Sequence, residues 1–220
     1  EADKRLAADG KTTPATQFFD IINPVDGDLI EYAFPPTLYI LGAMNQADVS
    51  VEPLDVAFLR RWAPVNLEPS SSVLRAHFGA ASSPVSTLPP TPGSAGDVIE
   101  AAIQAFDAVN TRIALGRGPE FRIGHGVLMG NSAKLSSVSE ALQHFQAAWG
   151  TIKNHIDESF FGDVRGTAII LNADRGIAGN PYVLEETSFG DAPRAMINGP
   201  LSVEASKLYD LFVSLSQKAV

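Results

Sequence analysis

Apolar positions along the chain change their period near its middle. Up to about residue 69 they come in short runs, and beyond about residue 97 they recur at three- and four-residue spacing. In the first part, Leu29 to Ala33 predicts a short strand. Phe34-Pro35-Pro36 stops it, because a residue before proline avoids the α region. Leu38-Tyr39-Ile40-Leu41-Gly42-Ala43 is apolar without alternation, the pattern of a strand covered on both faces of a parallel sheet. Ser50 can cap a short helix over Leu54-Asp55-Val56-Ala57-Phe58-Leu59, with Pro53 near its first turn. Trp62 to Leu67 predicts a further strand, closed by Pro69.

From Ser70 to Gly96 the chain turns to Ser, Pro, Ala and Gly, with Pro84, Pro89, Pro90 and Pro92 crowded together. At least Ser82 to Gly96 therefore predicts a linker or loop. Asp97-x-x-Glu100 then opens a helix with Ile99, Ala102, Ile103, Phe106 and Ile113 on one face. Ser137-x-x-Glu140 opens a second, carrying Leu142, Phe145 and Trp149, and Leu208, Leu211, Phe212 and Leu215 mark a third. The organisation expected is an α/β piece over residues 1–69, a Pro/Ser-rich connection over 70–96, and a mostly helical domain over 97–220. No internal repeat is visible.

Charge changes the picture next. Sixteen Lys+Arg stand against twenty-five Asp+Glu, a net charge of −9, which argues against a stand-alone polyanion binder. With no cysteine there is neither a disulfide framework nor a thiolate metal site, as suits a reducing, cytoplasmic setting. The longest apolar runs fall far short of the ~20 residues that span a bilayer, so no membrane role is expected. The start at Glu1, without Met, suggests a piece of something longer.

Ligands of an open parallel sheet bind beyond the carboxyl ends of its strands. The run from Leu38 delivers Asn45 and Asp48 to such an edge, where Asn45 can orient a water or meet a phosphate oxygen. The same two residues also suit a plain Asx turn. Arg60 and Arg61 follow the short helix. They can complement its dipole, or reach a phosphoryl group across a subunit boundary. His77, His125, His144 and His155 lack metal-ligand spacing, so no metal is expected, and Glu140 with His144 reads as a surface pair one turn apart.

Together these residues carry a resemblance. Met44-Asn45-x-x-Asp48-x-Ser50, followed by Leu54-Asp55-x-Ala57-x-x-Arg60-Arg61-Trp62, resembles the sensor-1 and arginine-finger stretch of McrB-like AAA+ NTPases, the ring motors of methyl-directed DNA restriction. Phe121-Arg122-Ile123-Gly124-His125-Gly126 is similar to that family's lid motif. Ile156-Asp157-Glu158-Ser159-Phe160-Phe161-Gly162-Asp163 is similar to its late acidic-aromatic element, and Glu1 to Arg5 to the segment after its Walker B helix.

The resemblance implies an α/β fold: part of an AAA+ P-loop sheet (the sensor-1 strand and the next), then a small helical lid. It implies hydrolysis of GTP or ATP with Mg²⁺ in the full-length form. Partners would be a homo-oligomeric ring and a McrC-like nuclease subunit, with DNA met through regions outside this chain. Asn45 would place the attacking water and Asp48 support it. Asp55 would orient Arg60 and Arg61, which act in trans, and Gly124 and His125 would belong to the nucleotide-facing lid. Departures are Val49 where the family often has Arg, and Gly126-Val127-Leu128 where Ser and an aromatic pair are usual.

No G-x-x-x-x-G-K-[ST] occurs, and Ile156-Asp157-Glu158 follows Lys153-Asn154-His155 where Walker B needs an apolar strand. This chain alone is expected to be inactive. Two further readings stand beside the catalytic one: a non-catalytic AAA+-derived module that completes a partner's site, and a MoxR- or chelatase-type relative.

Overall fold

The computed structural model describes residues 4–44, 60–130 and 134–217. The chain divides into two units, Glu1–Asn66 and Leu67–Val220. The described residues form a mixed α/β structure of six helices and two antiparallel hairpins.

In the first unit, β1 (Phe18–Ile22) pairs antiparallel with β2 (Leu29–Ala33), Ile21 standing opposite Ile30. Asn23 builds the connection: its side chain accepts from the Val25 amide, and its backbone N–H donates to Asp28. Gly27 takes φ +79° there, a conformation suited to glycine. The expected strand at Leu29–Ala33 is present with those bounds.

The parallel sheet is not found among the described residues. Leu38 to Ala43 forms no strand, and Tyr39 and Leu41 are 84 % and 100 % exposed. A continuous apolar run becomes a central strand only where neighbours pair its edges and layers cover its faces. Here Arg5 donates to the carbonyls of Pro36 (3.0 Å) and Leu38 (2.8 Å) and lies 5.3 Å from the Tyr39 ring centre. Trp62 to Leu67 is likewise exposed and outside any strand. The helix expected at 54–59, with Ser50 and Pro53, lies outside the described residues. No described residue of this unit is buried.

The second unit holds the buried core. Its elements are α1 (Ser71–Phe78), α2 (Ala95–Gly116), the short α3 (Gly126–Met129), α4 (Val138–Ser159), α5 (Val164–Ile170), β3 (Val183–Phe189), β4 (Ala192–Asn198) and α6 (Ala205–Ser216). The three long helices α2, α4 and α6 pack on one another. Ile103 and Ile113 of α2, Phe145 and Ile156 of α4, and Leu208, Leu211 and Leu215 of α6 are buried together. Phe145 meets Phe78 and Phe212 edge-on, and Trp149 meets Phe212.

Capping explains where the helices begin. Ser137 accepts from the Glu140 amide at the start of α4, as its spacing predicts. At α2 the cap is Ser94 rather than Asp97. Asp97 sits at the third helical position and closes a capping box by accepting from the Ser94 amide. Ser94→Ala is expected to cost about 1 kcal/mol, read as a lower urea midpoint with unchanged slope.

Helix α1 lies inside the stretch whose composition predicts a linker or loop. Ser70 caps it, Gly79 ends it at φ +64°, and Leu74 and Arg75 are buried. Residues 82–93 carry no helix or strand, yet Tyr209 donates to Pro89 O (2.7 Å) and Leu88 packs on the core. The β3–β4 hairpin, turned by Gly190 and Asp191 with Gly190 at φ +61°, is an element that the apolar spacing does not announce.

Candidate functional site

Of the residues singled out in the first unit, Asn45, Asp48 and Asp55 lie outside the described residues. Arg60 and Arg61 are described, adjacent on a turn, and exposed.

Gly124 and His125 belong to the second unit, in a segment between α2 and α4. Arg117 and Gly118 both donate their backbone N–H to Ile113 O, which ends α2. These amides are therefore spent, and Gly116-Arg117-Gly118 offers no free phosphate cradle. The chain then makes a 3₁₀ turn at Pro119–Phe121, passes Ile123, Gly124 and His125, and forms the single turn of α3.

Polar ties fix the segment from several sides. The buried Asn110 carboxamide accepts from Ile123 N (2.7 Å) and donates to Ile123 O (3.0 Å). His155 Nε2 lies 2.7 Å from Phe121 O, His144 Nε2 2.9 Å from Leu128 O, and His77 Nε2 3.2 Å from Met129 O. Arg122 pairs with Glu68 at 3.5 Å. Gly124 is exposed, and a Cβ added to it would meet no atom within 4 Å, so its backbone is open to a ligand. His125 Nδ1 is buried without a hydrogen-bond partner, the one such side-chain atom among the described residues. A buried polar atom left unpaired is costly, which is why such an atom points to an absent partner.

His144 does not act as a surface partner of Glu140. The Glu140 carboxylate accepts from Ser136 N and Oγ, while the imidazole turns to Leu128. Hydrogen bonds from Ser136 hold that carboxyl below the usual glutamate range, with a smaller contribution from the nearby His144.

Asn110, His77, His144 and His155 were not assigned to the site by spacing alone. One signal was available: Asn110 continues the stripe of Ile103, Phe106 and Ile113, and a carboxamide on an apolar face needs a buried partner. No group of three His, Asp or Glu among the described residues could hold a metal ion. No helix among them is long and apolar enough to cross a membrane. A shallow cleft lined by Arg165, Glu186, Thr187, Pro193, Arg194 and Ala195 lies elsewhere in the second unit, and its Arg165 is paired with Glu186 at 2.7 Å.

Compared with protein-family models and with curated proteins, the chain has no match.

Proposed function

We propose that this chain is a portion of a ring-forming AAA+ nucleoside triphosphatase of the McrB-like kind. In this reading it supplies the water-placing Asn45, with Asp48 and Asp55 in support, and two arginines that act on a neighbouring subunit's nucleotide. The observation that carries it is the exposure of adjacent Arg60 and Arg61 on a turn at the end of the resembling motif. An arginine that stabilises phosphoryl transfer in trans has to leave its own subunit's packing and present its planar fork outward. Two features add support. The first unit buries none of its described residues, as expected of part of a larger α/β core, and the lid-like segment carries an unpartnered His125 Nδ1 beside an open Gly124. The nucleotide would be GTP or ATP with Mg²⁺, its phosphates held by polypeptide that carries a phosphate loop.

The absence of G-x-x-x-x-G-K-[ST] from the sequence favours a second reading, an AAA+-derived module without hydrolysis of its own that completes a partner's site. A phosphate loop and an apolar strand ending in Asp-Glu, encoded directly upstream of Glu1, would decide for the catalytic reading. Both readings expect the isolated 220-residue chain to bind neither GTP nor ATP at micromolar concentration. Calorimetry with each nucleotide and Mg²⁺ tests this, and a clear micromolar isotherm would overturn it.

A further inference from the structure

Packing anchors the 121–129 segment at its two ends, where Phe121, Ile123, Val127, Leu128 and Met129 meet the core, and leaves its crest at Gly124 and Gly126 open. An added Cβ at Gly124 or at Gly126 would meet nothing within 4 Å, and only Ile123 and Leu128 of the segment are buried. Its backbone is fixed in addition by polar ties from three other helices: His77 on α1, Asn110 on α2, and His144 and His155 about three turns apart on α4. Each imidazole meets a backbone carbonyl through Nε2. A carbonyl oxygen only accepts, so Nε2 carries the proton in all three, and Nδ1 has no part in the tie.

We propose that Asn110, His144 and His155 are positioning residues that clamp residues 121–129 into the conformation presenting Gly124 and His125, with the Nε2–H tautomer as the working form of both histidines. The clamp spans the segment: His155 takes its start at Phe121, Asn110 its middle at Ile123, and His144 its end at Leu128. The ring of His144 also lies close over Gly130, where an added Cβ would stand 2.6 Å from Cε1, so that ring backs the exit of the segment as well. The consequence for nucleotide contact rests on the reading proposed above. The clamp itself does not.

Two kinds of substitution separate a hydrogen-bond clamp from mere filling of space. The glutamine amide nitrogen reaches about as far as Nε2, whereas asparagine stops at the position of Nδ1. Hydrogen exchange in the nucleotide-free chain reads the amides of Ile123, Val127 and Leu128, with α2 and α6 as internal controls. His155→Gln and His144→Gln are expected to exchange like the parent, and His155→Asn and His144→Asn roughly tenfold faster at those amides with α2 and α6 unchanged. Equal rates for the Gln and Asn variants would overturn the clamp. So would a parent segment that already exchanges like unstructured chain. Nitrogen NMR of the imidazoles in the parent provides a check that needs no variant: the Nε2–H tautomer is expected at His144 and His155, and Nδ1–H at either would overturn the proposal. Because no nucleotide enters, these outcomes are independent of whether Arg60 and Arg61 act in hydrolysis.

Discussion

Replacing Arg60 and Arg61 together by alanine, in the assembly that includes the phosphate loop, is expected to cut nucleoside-triphosphate hydrolysis by ~10³-fold or more. Nucleotide binding should stay largely intact. The asymmetry follows from when the charge appears. The guanidiniums meet charge that develops on the transferred phosphoryl group, so their loss raises the barrier without weakening the ground-state complex. A ~10³-fold loss corresponds to about 4 kcal/mol of transition-state stabilisation. The alternative role, in which two cations complement a helix C-terminus, predicts a stability loss of roughly 1 kcal/mol and nearly normal turnover per folded molecule. Steady-state hydrolysis beside equilibrium nucleotide binding separates the two.

The second large effect concerns stability. Arg75 of α1 and Glu100 of α2 form a paired ion bridge whose side chains are 4 % and 8 % exposed. Arg75 donates both terminal nitrogens to the carboxylate, which also accepts from Gln104 and from Val85 N, while Arg75 reaches Ala81 O. The pair therefore ties α1 and residues 81–85 to α2. Glu100→Ala would leave a buried guanidinium without its ion-pair partner, at an expected cost of about 3–5 kcal/mol, measured by denaturant unfolding.

The pH dependence has a definite sign. Burial alone would raise the Glu100 carboxyl, but hydrogen bonds from Arg75, Gln104 and Val85, with the Arg75 charge, outweigh it and hold the group below its ordinary range. A carboxyl lowered on folding contributes stability above its unfolded value of about 4.3, and that contribution is lost as pH falls through the folded value. Below about pH 4.3, then, the parent should lose stability more steeply than Glu100→Gln, whose amide does not titrate.

The long helices α2, α4 and α6 are legible because one rule decides them. Ile99, Ile103 and Phe106 in α2, and Leu208, Leu211 and Leu215 in α6, recur with the period of a helix face, and Ser137 announces its own cap. The cap of α2 was displaced by three residues because Asp97 satisfies the same box from its other end. Helix α1 was hidden, since its eight residues sit among serines and one buried leucine gives no period. The β3–β4 hairpin turns only Leu184, Ala195 and Ile197 partly inward, so its strands alternate too weakly to stand out. Leu38 to Ala43 failed as a strand for a different reason. Apolar continuity says what a segment can bury, and the burial depends on neighbours to cover it.

Arg60 and Arg61 in the first unit, and separately Gly124 and His125 in the second, are named from local motif. The supports of the segment that carries Gly124 and His125 are not, because the ties from Asn110, His144 and His155 cross 13 to 34 residues of chain and leave no local pattern. The break in the apolar stripe at Asn110 is the one local sign of them in the sequence.

The central claim is that Arg60 and Arg61 complete a site on a neighbouring subunit, and subunit mixing tests it most directly. One population carries Arg60→Ala and Arg61→Ala with its phosphate loop intact. The other keeps both arginines and has a disabled phosphate loop. Each alone should be inactive, and the mixture should regain hydrolysis, because each supplies at the shared boundary what the other lacks. A mixture as inactive as its parts, or normal turnover by the double-arginine variant alone, would contradict the account.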